Sequence, residues 1–316
     1  MKADATNSVH QPVAGRFADW KSILNDYYQL TKPRVVGLII FTAIVGMFLA
    51  TPGMVDPVVL VMGTLGIGLA AASGAAMNQI LDRDADSVMK RTRRRPLPSG
   101  NLNALQAMIF ACMLSMASML ILAIWVNTLT AVLTFASMVG YAVIYTVFLK
   151  HATPQNIVIG GAAGAVPPVL GWTAVTGVIS HDALLLFLII FCWTPPHFWA
   201  LALYREQDYA KVGIPMLPVT HGRRFTQLYI VCYTLLLAAV SIMPVATQMS
   251  GYPYLVGALI LNARFIWYAV SLYRDYSDPL ARRTFMFSIK YLAWLFALML
   301  LDHYRAPVAG LLGLTA

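Results

Sequence analysis

The sequence is short of charge. Lys, Arg, Asp and Glu together make up 11% of the 316 residues, against about 25% in a soluble domain. Acids are the scarcer sign, 13 against 22 bases, and Glu206 is the only glutamate. The long apolar stretches lack polar–apolar alternation, which argues against barrel strands. The first 30 residues lack the apolar core of a signal peptide, so no secretory leader is expected. The three cysteines, Cys112, Cys192 and Cys232, lie far apart within apolar stretches. That spacing argues against a disulfide framework and against a thiolate metal site.

What is there in excess is apolar sequence. Hydrophobic residues make up 59% of the chain, gathered into runs of the roughly 20 residues that a membrane-crossing helix needs. These runs predict spans near 34–51, 57–80, 104–125, 128–149, 154–176, 182–203, 226–247, 253–273 and 285–302. The expected architecture is an all-α integral membrane protein with nine transmembrane helices. A polar cytoplasmic segment (1–30) precedes one transmembrane domain (31–303), and a short tail (304–316) follows it.

The net charge of +9 is unevenly placed. Loops after the second, fourth, sixth and eighth spans carry Lys and Arg, and those after the first, third, fifth and seventh carry none. The positive-inside rule puts the N-terminus in the cytoplasm and the C-terminus outside. The basic excess is thus a topology signal, and nucleic-acid binding is not expected. The expected location is the plasma membrane, inner if the source is Gram-negative.

Two of the basic loops are long, about 81–103 and 204–225. Each follows the second helix of a set of four, and each runs acids, then bases, then a pair of prolines. Spans 1–4 and 5–8 therefore look like two four-helix repeats, with a ninth helix added. In the first loop Asn78, Asp82 and Asp86 are spaced by four, which sets them on one face of a helix. A carboxamide oxygen and two carboxylates suit a hard divalent cation such as Mg²⁺, which keeps several waters and is often completed by a substrate phosphate. Arg91, Arg95 and their basic neighbours follow directly, as a diphosphate requires. The second loop adds Glu206 and Asp208, then Lys211. A solvated helix end with basic topology anchors is the plainer reading of the same residues.

The stretch N-x-x-x-D-x-x-x-D…R-T-x-x-R-P (Asn78, Asp82, Asp86, Arg91, Thr92, Arg95, Pro96) resembles the first motif of the UbiA superfamily of intramembrane prenyltransferases. "LTKPRV" (30–35), "GGAAGAVPPVLGW" (160–172), "WTPPHFWALAL" (193–203) and "DYAKVGIPMLPVTHG" (208–222) extend the resemblance over residues 30–225 and point to its haem-modifying branch. The resemblance implies helices around a central cavity open to the cytoplasm. It also implies Mg²⁺-dependent transfer of a farnesyl group from farnesyl diphosphate to haem B, with Asn78, Asp82 and Asp86 as metal ligands. The family's second motif, D-x-x-x-D, is incomplete here: Tyr204 holds its first position and Asp208 its second. Asp208 is then a ligand, and Tyr204 a hydrogen-bonding or packing residue. Partners implied besides the bilayer are haem A synthase or terminal-oxidase assembly factors.

Four further polar residues stand out. Arg34, after Lys32 and Pro33, is either a snorkelling anchor or a diphosphate contact. His197, after Pro195 and Pro196, is either a hydrogen-bonded core residue or a haem contact, and the prolines are expected to kink or unwind its helix. Arg264 and Lys290 lie deep in spans without an acid to pair with. They are expected to face the interior, one of them meeting a substrate anion, a haem propionate or the diphosphate; snorkelling, easier for Lys290, is the alternative. Prenylation of an aromatic acceptor, a polytopic transporter and a haem-binding assembly factor are the competing functions. Against a transporter, every acid lies near a helix end or in a loop.

Overall fold

A computed structural model describes residues 20–89, 92–149 and 152–305. Among them the ordered elements are all helical. The elements are α1 (Trp20–Leu30), α2 (Pro33–Leu49), α3 (Pro57–Leu81), α4 (Arg83–Val88), α5 (Ala104–Trp125), α6 (Thr128–Val139) and α7 (Gly140–Leu149), the last wound as a π-helix. Then come α8 (Asn156–Ala165), α9 (Pro167–Thr176), α10 (His181–Tyr204), α11 (Glu206–Lys211), α12 (Leu217–Ala246), α13 (Tyr252–Arg274) and α14 (Asp278–His303).

Among the described residues, eight helices or in-line helix pairs are long and apolar enough to cross a membrane. The pair α1–α2, bent by 53°, makes up to nine. The expected span count and helical class hold. The N-terminal segment differs from its polar description, because residues 20–30 form a helix that exposes Trp20, Leu24 and Tyr28. Such a helix suits the membrane interface, with an apolar face toward the acyl region and polar groups toward water.

Local chemistry sets the helix boundaries. Pro33, Pro57, Pro167, Pro218, Pro253 and Pro279 all lie in the first turn of a helix, where a missing N–H costs nothing. Asp56 caps α3 by accepting from the amides of Val58 (2.7 Å) and Val59 (3.2 Å). Asn103 and Gln106 form a reciprocal capping box at α5. The π-winding of α7 follows an unbroken run of helix from α6, and such windings are often found at functional sites.

The expected repeat is visible in the topology. The second helix of each half, α3 or α10, ends in a six-residue helix, α4 or α11. The first helices of the halves meet as α2 and α9, back to back and very close. A Cβ on Gly171 would stand 1.9 Å from the Ala43 carbonyl oxygen, and one on Gly46 would stand 2.2 Å from that of Pro168. These glycines let the half-helices α8–α9 pass into the bundle, where Trp172 and Leu170 are buried. α10 packs on α8, α12 and α14, and α14 closes back onto α2.

The Gly171 contact yields a test. Gly171→Ala places a methyl against backbone that cannot swing aside, and should cost about 1–3 kcal/mol. Gly37→Ala, on the neighbouring α2 with nothing within 4 Å of its added Cβ, should leave stability unchanged. Thermal unfolding in detergent micelles distinguishes the two; equal melting temperatures would contradict the packing.

Candidate functional site

The polar residues gather where α3 stops. Asn78, Asp82 and Asp86 are all buried. They do not share one continuous helix as the spacing alone predicts. α3 ends at Leu81, Asp82 sits at the junction with φ −88° and ψ 2°, and Asp86 belongs to α4. The four-residue hydrogen-bond register nevertheless carries through, from Asp82 N to Asn78 O (3.0 Å) and from Asp86 N to Asp82 O (2.8 Å). The three side chains therefore stay in line.

Each is fixed by a partner. The Asn78 amide nitrogen donates to Asp82 Oδ2 (3.0 Å) and to Thr146 Oγ1 (3.2 Å). Thr146, on the π-wound α7, donates in turn to the Tyr141 carbonyl (2.9 Å). The Asn78 oxygen accepts from the Lys32 ammonium. Lys32 occupies the left-handed region at φ 51°, a conformation that costs a non-glycine residue about 1 kcal/mol or more. Gln79 holds that turn in place by donating to the carbonyls of Gln29 (3.1 Å) and Leu30 (2.9 Å). Arg95 Nη1 donates to Asp86 Oδ2 at 2.6 Å, and the Thr92 hydroxyl donates to the Asp86 carbonyl at 3.1 Å. The buried cluster thus receives two cations, Lys32 on the Asn78 oxygen and Arg95 on the Asp86 carboxylate. Arg91 lies outside the described residues.

The second loop is arranged differently. Asp208 is half-buried and pairs with Arg205 at 3.4 Å, whereas Glu206 pairs with Arg223. Arg223 also lies over Tyr276, whose hydroxyl donates to Asp278 at 2.6 Å. Burial, and then the bond to Asp278, raise the Tyr276 hydroxyl above the usual tyrosine pKa. This network lines a cavity of about 290 Å³ that includes Tyr204, Glu206, Asp208, Arg223 and Asp278. Lys211 is exposed at the end of α11. The two loops touch through apolar side chains, Met89 sharing a cluster with Tyr209, Ile214 and Met216. Their acids do not merge: among the described residues no three carboxylate, imidazole or thiol groups form a metal-sized cluster. A metal at α3 would therefore have Asp82, Asp86 and the Asn78 oxygen as hard donors. That set fits an ion that retains waters and takes phosphate oxygens.

The prolines of α10 do not unwind it; the helix is continuous from His181 to Tyr204. The expected unwinding is thus corrected: tight packing by α8, α12 and α14 keeps the helix whole where two amide hydrogens are missing. His197 is buried between the Trp193 ring (4.3 Å) and the Phe285 ring (4.6 Å). Its Nδ1 lies 2.7 Å from Ser288 Oγ, and the single Ser288 hydroxyl proton is donated to the Phe285 carbonyl at 2.7 Å. With the Ser288 proton on that carbonyl, Nδ1 is the donor, which leaves the lone pair on Nε2.

Arg34 is exposed at the start of α2. Arg264 and Lys290 do not face the interior as expected; both are exposed. The Arg264 guanidinium lies 4.5 Å from the Trp267 ring and 5.0 Å from the Tyr268 ring. The face of α13 that packs inward carries Tyr254, Ala258, Asn262, Phe265 and Ala269, which leaves no room for a cation there. Sequence reasoning missed Gln79, Thr146 and Ser288. Each is a small or neutral polar residue in an apolar span, and only its position opposite a motif residue reveals it.

Residues 39–296 match the UbiA prenyltransferase family. A protoheme IX farnesyltransferase of Thiobacillus denitrificans is 62% identical over 278 residues, covering 88% of this chain and 93% of that protein. One from Nitrosospira multiformis is 59% identical, covering 90% and 95%. Among solved structures, that of a digeranylgeranylglyceryl phosphate synthase superposes with a TM-score of 0.75 at 18% identity, covering 89% of this chain and 99% of the other. A UbiA homologue from Archaeoglobus fulgidus bound to DMAPP and Mg²⁺ superposes at 0.59 with 15% identity, covering 87% and 99%.

Ser288 provides a check on the histidine. Ser288→Ala leaves the buried Nδ1–H without an acceptor and should cost about 1–3 kcal/mol. Thermal unfolding measures it, and an unchanged melting temperature would argue against the bond.

Proposed function

Since the chain belongs to the UbiA prenyltransferase family, we propose that it transfers the farnesyl group of farnesyl diphosphate to a vinyl group of haem B, giving haem O. Relatives at 62%, 59% and 58% identity carry the name protoheme IX farnesyltransferase. The observation that carries the chemistry is the buried line of Asn78, Asp82 and Asp86 with Lys32 and Arg95 bound to it.

Asn78, Asp82 and Asp86 would hold Mg²⁺; Asp208, in the separate second-loop network with Arg205, would be a ligand to a second ion. The bound ion supplies positive charge to the diphosphate oxygens as they become a leaving group. Lys32 and Arg95 lie beside the carboxylates and add charge there, with Arg34, Arg91 and Lys211 as further diphosphate contacts. Tyr204, at the cavity beside Asp208, is a supporting wall residue. The C–O bond breaks, and its electron pair leaves with the diphosphate. The allylic cation is attacked by the vinyl π electrons, forming a C–C bond and leaving a cation beside the porphyrin. Water captures that cation and loses a proton, giving the hydroxyl group. The vinyl terminus keeps both its hydrogens through the alkylation, because water and not proton loss quenches the cation, so no general base is needed at that step. Apolar walls keep water away from the first cation. His197, neutral and with its lone pair on Nε2, is the candidate contact for the haem.

The purified protein in lipid nanodiscs, given labelled farnesyl diphosphate and haem B, should form haem O with Mg²⁺ and none with EDTA. Asp82→Ala should reduce kcat/KM by a factor of about 10³. Lys32→Gly removes the ammonium from the cluster while keeping the left-handed turn accessible, so it should lose activity. Full activity of Asp82→Ala, or labelled product only from an aromatic acceptor, would overturn the assignment.

The Lys and Arg bias supports a site on the cytoplasmic side of the membrane, which we read as a plasma membrane. Alkaline phosphatase fused after residue 316 should be active outside the cell, and the same enzyme inserted at Gly213 should be inactive. The reverse pattern would invert the orientation.

A further inference from the structure

In the spanning helices α2 to α14, every charged residue but two sits within the first or last two turns. The exceptions are Arg264, in the middle of α13, and Lys290, in the middle of α14. Both are cations and both are exposed.

They also lie side by side in depth. Ring contacts between Phe265 and Tyr291 (5.2 Å) and between Tyr268 and Phe287 (5.0 Å) set the antiparallel register of the two helices. Arg264 adjoins Phe265 and Lys290 adjoins Tyr291, so the two cations share a level. They share a face as well. Gly257, one heptad before Arg264, packs against Leu298 of α14, which puts Arg264 on the edge of α13 nearest α14. Lys290 is about 160° around α14 from Ser288, which faces α10. Both therefore flank the outer rim of the α13–α14 seam.

The Arg264 side chain runs against the usual lean of helical side chains toward the N-terminus. Its guanidinium lies over Trp267 and Tyr268, three and four residues toward the C-terminus. At the level of Tyr268 it is about 9 Å from the Arg274 end of the helix. The usual lean toward the N-terminus carries Lys290 the same way in space, because α14 is antiparallel and its N-terminus lies beside Arg274. Arg274, Arg282 and Arg283, all exposed, continue the basic strip to that end of the hairpin.

Two cations at such depth, facing outward, need an anion. Neither makes an ion pair among the described residues. A second copy of the chain has none to offer, since none of its spanning helices described here carries an acid at mid-depth. We propose that Arg264 and Lys290 clamp the phosphate of an anionic phospholipid from the leaflet on the side of the candidate site. The headgroup is drawn inward along the basic strip, and the acyl chains lie against exposed Ile260, Trp294 and Leu301. Lys290 is two residues from Ser288, so the lipid braces the stretch of α14 that holds His197. The inference does not depend on which acceptor the enzyme prenylates.

The test uses the full chain in nanodiscs of phosphatidylcholine with a minor fraction of phosphatidylglycerol, and counts retained lipids by native mass spectrometry. Two such cations should favour the anionic lipid at one site roughly thirtyfold. The double variant Arg264→Gln/Lys290→Gln should lose that preference, and the charge-conserving Arg264→Lys/Lys290→Arg should keep it. Three results would overturn the proposal. One is a wild-type protein with no preference, which is readable even if the variants fail to fold. The second is a double variant with an undiminished preference. The third is a change in protomer number with lipid retention unaltered, which would make this face a protein interface.

Discussion

Two carboxylates at the end of an apolar helix are stable only where cations reach them, and much of the local architecture serves that delivery. An uncompensated buried carboxylate costs several kcal/mol. Asp86 receives Arg95 from the turn after α4, and Asp82 is bound to Asn78, which receives Lys32 from the bend between α1 and α2. That bend needs Lys32 in a left-handed conformation, and Gln79 fixes it from α3. The third side-chain hydrogen bond of Asn78 goes to α7, whose π-winding places Thr146 opposite it. Parts of the chain as distant as residues 30 and 146 are thus committed to one cluster.

The two halves of the protein share a plan without sharing this solution. α4 and α11 occupy equivalent places after α3 and α10. In the first half the acids are buried and the cations are brought to them. In the second half Asp208 and Glu206 are partly solvated, and their partners Arg205 and Arg223 are half-exposed. Solvent screens such pairs, so they contribute little to stability. The loss of an acid at Tyr204 fits that difference, because a second buried carboxylate pair would need a second set of delivered cations. The second loop is instead tied down through Arg223, Tyr276 and Asp278 to the α13–α14 turn.

Most of the architecture was legible because membrane spans announce themselves by composition. Apolar runs placed the spans to within a few residues except at the starts of the ninth, whose helix begins at Asp278 instead of near 285, and the seventh. There Gly222, at φ 80°, joins a short helical stretch to the span, and the helix begins at Leu217 instead of near 226. The motif acids were legible because acids are so rare. Less legible was anything that depends on a neighbour in space. Lys32 was read as a minor companion of Arg34, yet it is Lys32 that reaches the cluster. Arg264 and Lys290 were expected inside because intramembrane charges usually turn inward. That expectation ignores how fully Phe265 and Tyr291, the residues beside them, occupy the interior.

The fold constrains sequence loosely, since a chain 18% identical still superposes with a TM-score of 0.75. Side chains set what the wall between α10 and α14 offers. Here that wall presents Trp193, His197 and Phe285 as parallel or nearly parallel rings, with interplanar angles of 17° and 26°. Stacked flat surfaces of this kind match a planar macrocycle better than a flexible lipid acceptor. The imidazole between them is oriented by one serine, and that arrangement suits a planar acceptor bearing a metal ion.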